Sequence, residues 1–333
     1  MSDRSDPKHV TLPSSVTKAT MAAPIANVGT ASAAALLADC ADGRADNAVP
    51  LPSINIDQAA KFSGNTTTDP WQDLRRHTAA RLALGRAGAS MPTDEILRFG
   101  YAHAQARDAV HVALQVDELA TALQDKGVAT VQVHSAATDR AQYLLRPDLG
   151  RRLDADSVKG LRARAADTPT CDLVIVIADG LSSLAIHRNA LPLLDAIRAQ
   201  VPAGWTLGPV VIAEQGRVAL GDEVGDLLGA RMVAVLIGER PGLSSPDSLG
   251  IYLTSAPRVG RHDAERNCIS NVRPEGLDIA SAARKLWWLA TAATALGATG
   301  VALKDRSDET LLPAEPGTDS ISNSNTPPLP DAA

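Results

Sequence analysis

Four kinds of side chain stand where they could do chemistry. Asp179 directly follows the apolar run Asp172–Ala178 (DLVIVIA). From a strand end, a carboxylate can act as acid or base, or it can cap the next helix. Glu239 and Arg240 open the loop ERPGLSSPDS (239–248), whose turn residues and small hydroxyls let backbone amides approach a ligand closely. Cys268, in AERNCISN (264–271), carries a thiol. A nucleophilic cysteine needs a positioned base, and none of the seven histidines is placed by sequence to supply one, so a packing role is the plainer reading. His103 and His111 are eight residues apart on one expected helix. That spacing separates them by about 80° in azimuth, poor for sharing a metal, so both read as structural or exposed. Neither GxGxxG nor GxxxxGK[ST] occurs, which removes a dinucleotide fingerprint and a P-loop. No self-contained catalytic constellation emerges.

These residues need elements to hold them. Short apolar, β-branched runs at Ala129–His134, Asp172–Ala178, Gly208–Ala213, Met232–Gly238 and Leu249–Thr254 read as strands. Helical patterns follow Ser183 to about Gln200, lie near Asp222–Leu228, and span Asp278–Leu296. Strand–helix alternation implies a parallel sheet with right-handed crossovers, a Rossmann-like α/β domain. Ligands bind such sheets beyond the C-terminal strand ends. There lie the loops Asp179–Ser183, Glu214–Val218 and Glu239–Ser248. Upstream, Trp71–Leu84 reads as a helix. After the breakers Gly85, Gly88 and Pro92, Thr93 is expected to cap a second helix through Ile96, Phe99, Ala102, Ala106, Ala109, Val110 and Ala113.

The 333 residues carry a formal net charge of −6. Residues 1–70 hold 5 basic and 7 acidic side chains, and 305–333 hold 1 and 6, so the body between them is nearly neutral. That balance, with only 3% aromatics, argues against a nucleic-acid partner. Three cysteines, Cys40, Cys171 and Cys268, are too few and scattered for a disulfide framework, as expected of a reducing cytosol. The longest uncharged run, Leu286–Leu303, is mostly Ala, Thr and Gly; it reads as a packed helix followed by a short strand, with no membrane partner. No secretory signal is read at the start. The expected organisation is therefore a disordered arm (1–70), a small helical N-terminal domain (71–127), an α/β domain (128–304) and a disordered acidic tail (305–333). Within the arm, Asn27–Cys40 is a candidate targeting helix with Ala34, Leu37 and Ala38 in one stripe; a low-complexity linker is the alternative.

Six segments together resemble a known family. They are ALGRAGASMPTDEILRFGYAHAQARDAV (83–110), YLLRPDLGRRL (143–153), IADGLSSLAI (177–186), GRVALGDEVGDLLGA (216–230), GERPGLSSPDSLGIYLTSAPR (238–258) and ERNCISNVRPEGL (265–277). In this order they resemble the small (light) subunit of ethanolamine ammonia-lyase over roughly residues 70–304. The resemblance implies one subunit of an adenosylcobalamin-dependent lyase that converts ethanolamine to acetaldehyde and ammonia. It places the radical chemistry in a separate large subunit, so no catalytic residue is expected in this chain.

The family's small-subunit cofactor positions fall on the Val of GRV, the Glu of GERPG and the Cys of the CISN motif, here Val218, Glu239 and Cys268. The 128–304 domain would then contact the cobalamin. Glu239 would accept hydrogen bonds from its amides, while Val218 and Cys268 pack at the rim. The sequence lacks a DxHxxG motif, so the cofactor is expected base-on, with no protein ligand to cobalt. A hetero-oligomer with the large subunit, in the cytoplasm or within a bacterial microcompartment, is also implied. Two alternatives stay open: a non-enzymatic cobalamin-binding or assembly module, and a stand-alone enzyme using Asp179 and Glu239 as acid and base.

Overall fold

The computed structural model describes residues 66–309 apart from Thr168. The candidate targeting segment Asn27–Cys40, almost all of the 1–70 arm, and residues 310–333 of the acidic tail lie outside the described residues.

Eight strands and seven α-helices are described. The strands are β1 (Thr66–Thr67), β2 (Arg86–Ala87), β3 (Thr130–His134), β4 (Leu173–Ala178), β5 (Leu207–Glu214), β6 (Met232–Gly238), β7 (Leu249–Ser255) and β8 (Arg266–Val272). The helices are α1 (Thr93–His111), α2 (Val116–Asp125), α3 (Arg140–Leu145), α4 (Ala155–Asp167), α5 (Ser183–Ala199), α6 (Leu220–Leu227) and α7 (Ile279–Leu296). β1 and β2 pair as a small antiparallel ribbon, and the rest form one six-stranded sheet in the order β3-β5-β4-β6-β7-β8.

The expected all-parallel sheet needs correction. β3, β5, β4 and β6 run parallel, but β6–β7 and β7–β8 are antiparallel. The reason is the connections. Parallel neighbours need a crossover of a dozen residues or more, whereas the loops leaving β6 and β7 return the chain directly beside the strand it has just left. Strand β8 had no counterpart in the sequence reading.

The core explains the placement of the strands. Every residue of β4 and β6 is buried, and the side chains alternate between two apolar layers. Leu173, Ile175 and Ile177 face α2, α5 and α7, packing with Leu123, Ile186, Leu193 and Leu286. Val174, Val176 and Ala178 face α4 and α6, packing with Leu161, Leu220 and Val224. Burying each Leu, Ile or Val side chain contributes about 1.5–3 kcal/mol, so a β4 buried on both faces anchors the whole sheet. The second helical layer stops at α6. Beyond it, Cys268 and Ser270 of β8 stay exposed while Ile269, pointing the other way, packs against the α7 side.

Helix ends follow local chemistry. Ser182 Oγ accepts from the Ala185 amide at the start of α5, and Asp278 accepts from the Ser281 amide at the start of α7. Leu286–Leu303 ends α7 at Leu296 and finishes in a 3₁₀ turn over Gly300–Ala302, in place of the expected strand. No described helix is long and apolar enough to cross a membrane.

The N-terminal stretch departs most from expectation. Trp71–Leu84 is not an α-helix: a 3₁₀ segment covers Gln72–His77, and Trp71 and Leu74 are exposed. With Leu74 and Ala79 exposed and no residue of Gln72–His77 fully buried, helix propensity alone does not hold such a segment. The next helix is present, but Thr93 is its first residue with Pro92 in the cap position, it ends at His111, short of Ala113, and Ile96 and Phe99 of the expected pattern are exposed. His103 and His111 on it are exposed.

Candidate functional site

The sheet delivers the three expected loops to one place. Beyond the C-terminal ends of β4, β5 and β6 lies a cleft of about 520 Å³, and Leu181, Val218 and Glu239, one from each loop, line it. Backbone contact makes this convergence tight. A Cβ on Gly180, which has φ +57°, would lie 2.2 Å from the Gly238 carbonyl oxygen. A Cβ on Gly238 would lie 2.0 Å from the Ser182 carbonyl oxygen. Side chains at either position would push the β4 and β6 loops apart, so both positions need glycine.

Asp179 fastens the loops. It is 2% exposed, and its Oδ1 accepts from the amides of Gly180 (2.9 Å) and Gly216 (3.0 Å). Its Oδ2 accepts from the Gln215 amide (3.0 Å) and from Arg140 Nη1 (3.2 Å). Gln215 sits at φ +53°, a left-handed conformation that this hydrogen bond helps to hold. Burial pushes the Asp179 carboxyl up to about 6, while Arg140 and the three amides pull it down. It is therefore ionised at neutral pH. Four donors on a sealed carboxylate make it a brace for the turn before Val218, not an acid or base facing a substrate.

Glu239 is also engaged. Its Oε1 accepts from Ser270 Oγ at 2.5 Å; its Oε2 accepts from Ser248 Oγ and from the Asn271 amide at 3.2 Å. A carboxylate has about four lone-pair sites, so roughly one remains for a ligand. The carboxylate thus sets the rim, tying the β6 loop to the residues before β7 and to β8. Neither Asp179 nor Glu239 is free to act as the acid–base pair of a stand-alone enzyme.

Cys268 lies beside the cleft. It stands opposite Tyr252 in the β7–β8 register, and Tyr252 lines the cleft. The thiol is held above its ordinary range by the protein around it and by the charge of Glu239, against a hydrogen bond from Tyr252 that lowers it. The Tyr252 phenol is raised by burial and then by Cys268. A thiol so placed is protonated at neutral pH and makes a poor nucleophile. Val218, half-buried, packs against the apolar layer of α4 and α6.

Sequence reasoning missed several residues that line this cleft, Tyr143, Arg151, Arg217, Tyr252 and Asp263, whereas Arg240, singled out at the start of the third loop, does line it. All but Asp263 lie inside the motif segments quoted above. Their types alone carried no signal; their meeting depends on contacts such as Arg217 Nη2 to the Tyr143 carbonyl (3.2 Å), 74 residues apart. Among the described residues no histidine lines the cleft, and no group of three or more His, Cys, Asp or Glu is arranged to hold a metal ion.

Comparison with known proteins gives one consistent result. The model of the family described as ethanolamine ammonia-lyase light chain (EutC) matches residues 68–304. The ethanolamine ammonia-lyase small subunit of Ralstonia nicotianae is 56% identical over 260 residues, covering 78% of this chain and 96% of the relative. That of Pseudomonas syringae pv. tomato is 55% identical, over 77% of this chain and 89% of the relative. That of Azotobacter vinelandii is 57% identical, over 74% and 92%. With a family match spanning both the sheet and every loop of the cleft, the chain belongs to the ethanolamine ammonia-lyase small-subunit family.

Proposed function

We propose that this chain is the small subunit of an adenosylcobalamin-dependent ethanolamine ammonia-lyase, and that its cleft forms part of the wall around the cofactor. The lyase converts ethanolamine to acetaldehyde and ammonia in complex with a large subunit. Family membership supports the enzyme. The observation that carries the cofactor reading is the convergence of Val218 and Glu239 on one cleft, with Cys268 beside it through Tyr252.

The residues present fit such a group. A corrin ring presents apolar faces and a fringe of amides; the cleft offers Val218, Ala219, Ile237 and Tyr252 beside polar groups such as Glu239 and Ser270. Glu239 contributes mainly by fixing Ser248, Ser270 and Asn271, with about one acceptor site left for a cofactor amide. Cys268 packs as a neutral thiol. When bound, the cofactor supplies carbon–cobalt homolysis and hence the radical chemistry. This chain contributes orientation and exclusion of water. Assembly into a higher hetero-oligomer in the cytoplasm, within a microcompartment where one exists, completes the reading.

The test is equilibrium binding of adenosylcobalamin to the two-subunit complex, wild type against Glu239→Ala and Val218→Asp. Both variants are expected to weaken binding about tenfold or more, equivalent to about 1.4 kcal/mol or more. Unchanged affinity in both, with the complex intact, contradicts the cofactor role.

A further inference from the structure

We infer that the arginine side of the cleft is a seat for a phosphodiester, which in the function proposed above (on which this inference rests) is the phosphate of the cofactor's nucleotide tail. The charges in the cleft are unevenly committed. Three guanidiniums face two carboxylates there: Glu239, which keeps its charge under two hydroxyls and an amide, and Asp263, which bonds Arg266 at 3.3 Å. The three guanidiniums, Arg151, Arg217 and Arg240, have no carboxylate partner among the described residues. An anionic ligand group is what this imbalance accepts.

Arg217 is the best placed of the three. Its guanidinium lies 4.6 Å from the centroid of the Tyr143 ring, a side chain only 1% exposed. Its backbone amide bonds the Gly150 carbonyl (2.8 Å), and a Cβ on Gly150 would come within 3.1 Å of the Arg217 stem and 2.9 Å of the Tyr143 ring. The stem is therefore confined between backbone and ring. Nη2 donates to the Tyr143 carbonyl, but Nε is buried without an acceptor. Buried donors are rarely left unpaired, and a pre-positioned guanidinium lining the cleft is suited to a phosphate oxygen. Arg140, over the same ring at 4.8 Å, also has an unpartnered nitrogen, Nη2, but it does not line the cleft, and its Nη1 and Nε are spent on Asp179, the Gly180 carbonyl, Gln215 and the Val110 carbonyl. Arg151 follows Gly150 directly and lines the same wall, so a second cation is at hand.

The experiment compares two corrinoids on the intact two-subunit complex: cyanocobalamin, and dicyanocobinamide, which lacks the nucleotide and its phosphodiester. Arg217→Met is expected to weaken cyanocobalamin about tenfold or more and leave dicyanocobinamide within about twofold. Arg217→Lys, which keeps the charge but loses the fork, should fall between. Dimethyl phosphate should compete with cyanocobalamin on the wild type and not on Arg217→Met. Equal weakening of both corrinoids, or of neither, overturns the phosphate seat while leaving the cofactor reading standing. If the wild-type complex binds neither corrinoid, the cofactor reading fails. Dimethyl phosphate titrated directly then decides the seat alone: binding lost in Arg217→Met keeps it, and no binding to the wild type removes it.

Discussion

Arg266 and Asp222 form a two-pronged ion pair, Nη1–Oδ1 at 2.5 Å and Nη2–Oδ2 at 2.7 Å, with both side chains 2% exposed. Arg266 opens β8, two residues before Cys268; Asp222 lies in the first turn of α6, four residues after Val218. One buried pair thus fixes the spacing between two of the three proposed cofactor positions. Thr254 Oγ1 and the Arg261 carbonyl take further guanidinium hydrogens, so the arginine is well satisfied.

Breaking this pair from one side leaves an uncompensated buried charge. Asp222→Ala is expected to destabilise the chain by about 3–5 kcal/mol. The paired replacement Asp222→Leu with Arg266→Met should recover much of that loss. Urea unfolding of wild type, Asp222→Ala and the paired variant measures both effects.

Asp179→Asn tests the brace beneath the loops. The substitution turns one acceptor oxygen into a donor amide facing N–H groups that now have no acceptor. A loss of about 2–4 kcal/mol follows, although size and shape hardly change. Hydrogen exchange should report the damage at the Gln215 and Gly216 amides first. Unaltered protection there contradicts the bracing role.

Acid lability follows from Glu223. Its carboxylate takes Arg152 Nε and Nη2 at 3.0 and 2.9 Å and the Leu153 amide at 3.0 Å. The Arg152 hydrogen bonds hold it below its ordinary value of 4.5. A carboxyl with a lowered folded value binds fewer protons folded than unfolded, so its stabilisation is present above about 4.5 and lost as pH falls further. Glu223→Gln should be less stable than wild type at pH 7, and the difference should shrink on acidification. Thermal unfolding between about pH 7 and 3 follows it.

Cys268 should alkylate slowly despite lying at the surface. With the thiol raised above its usual range, iodoacetamide should modify it more slowly at pH 8 than an unstructured cysteine peptide, with the rate still climbing at higher pH. Tyr252→Phe removes the hydrogen bond that lowers the thiol, so the rate at pH 8 should drop further. Peptide mass mapping assigns the modified residue.

The sequence made the middle of the fold legible and its edges opaque. Strands β4 and β6 announce themselves because both faces are covered, giving the unbroken runs LVIVIA and MVAVLIG. Strand β8 reads RNCISNV, with its apolar residues on one face only, because no helix covers the other; that kept it out of view. Strand direction beyond β6 lies in loop geometry, not in residue types. Upstream, Trp71–Leu84 reads as a helix, yet the segment is held by ion pairing, Arg75 to Glu95 at 3.0 Å, and its Leu82–Ala83 end breaks with Ala83 at φ +51°. At the site, the strand-end rule located all three loops. What it could not supply was the meeting of Tyr252 with Cys268 and of Tyr143 with Arg217, which tertiary packing alone creates.

The most direct measurement is ethanolamine-dependent acetaldehyde formation with adenosylcobalamin, for this chain alone, its cognate large subunit alone, and the two combined. Turnover is expected only in the mixture, and only while this chain's cleft is intact. A mixture that forms a stable complex, binds the cofactor and yields no acetaldehyde contradicts the lyase role and leaves a cobalamin-binding module in its place.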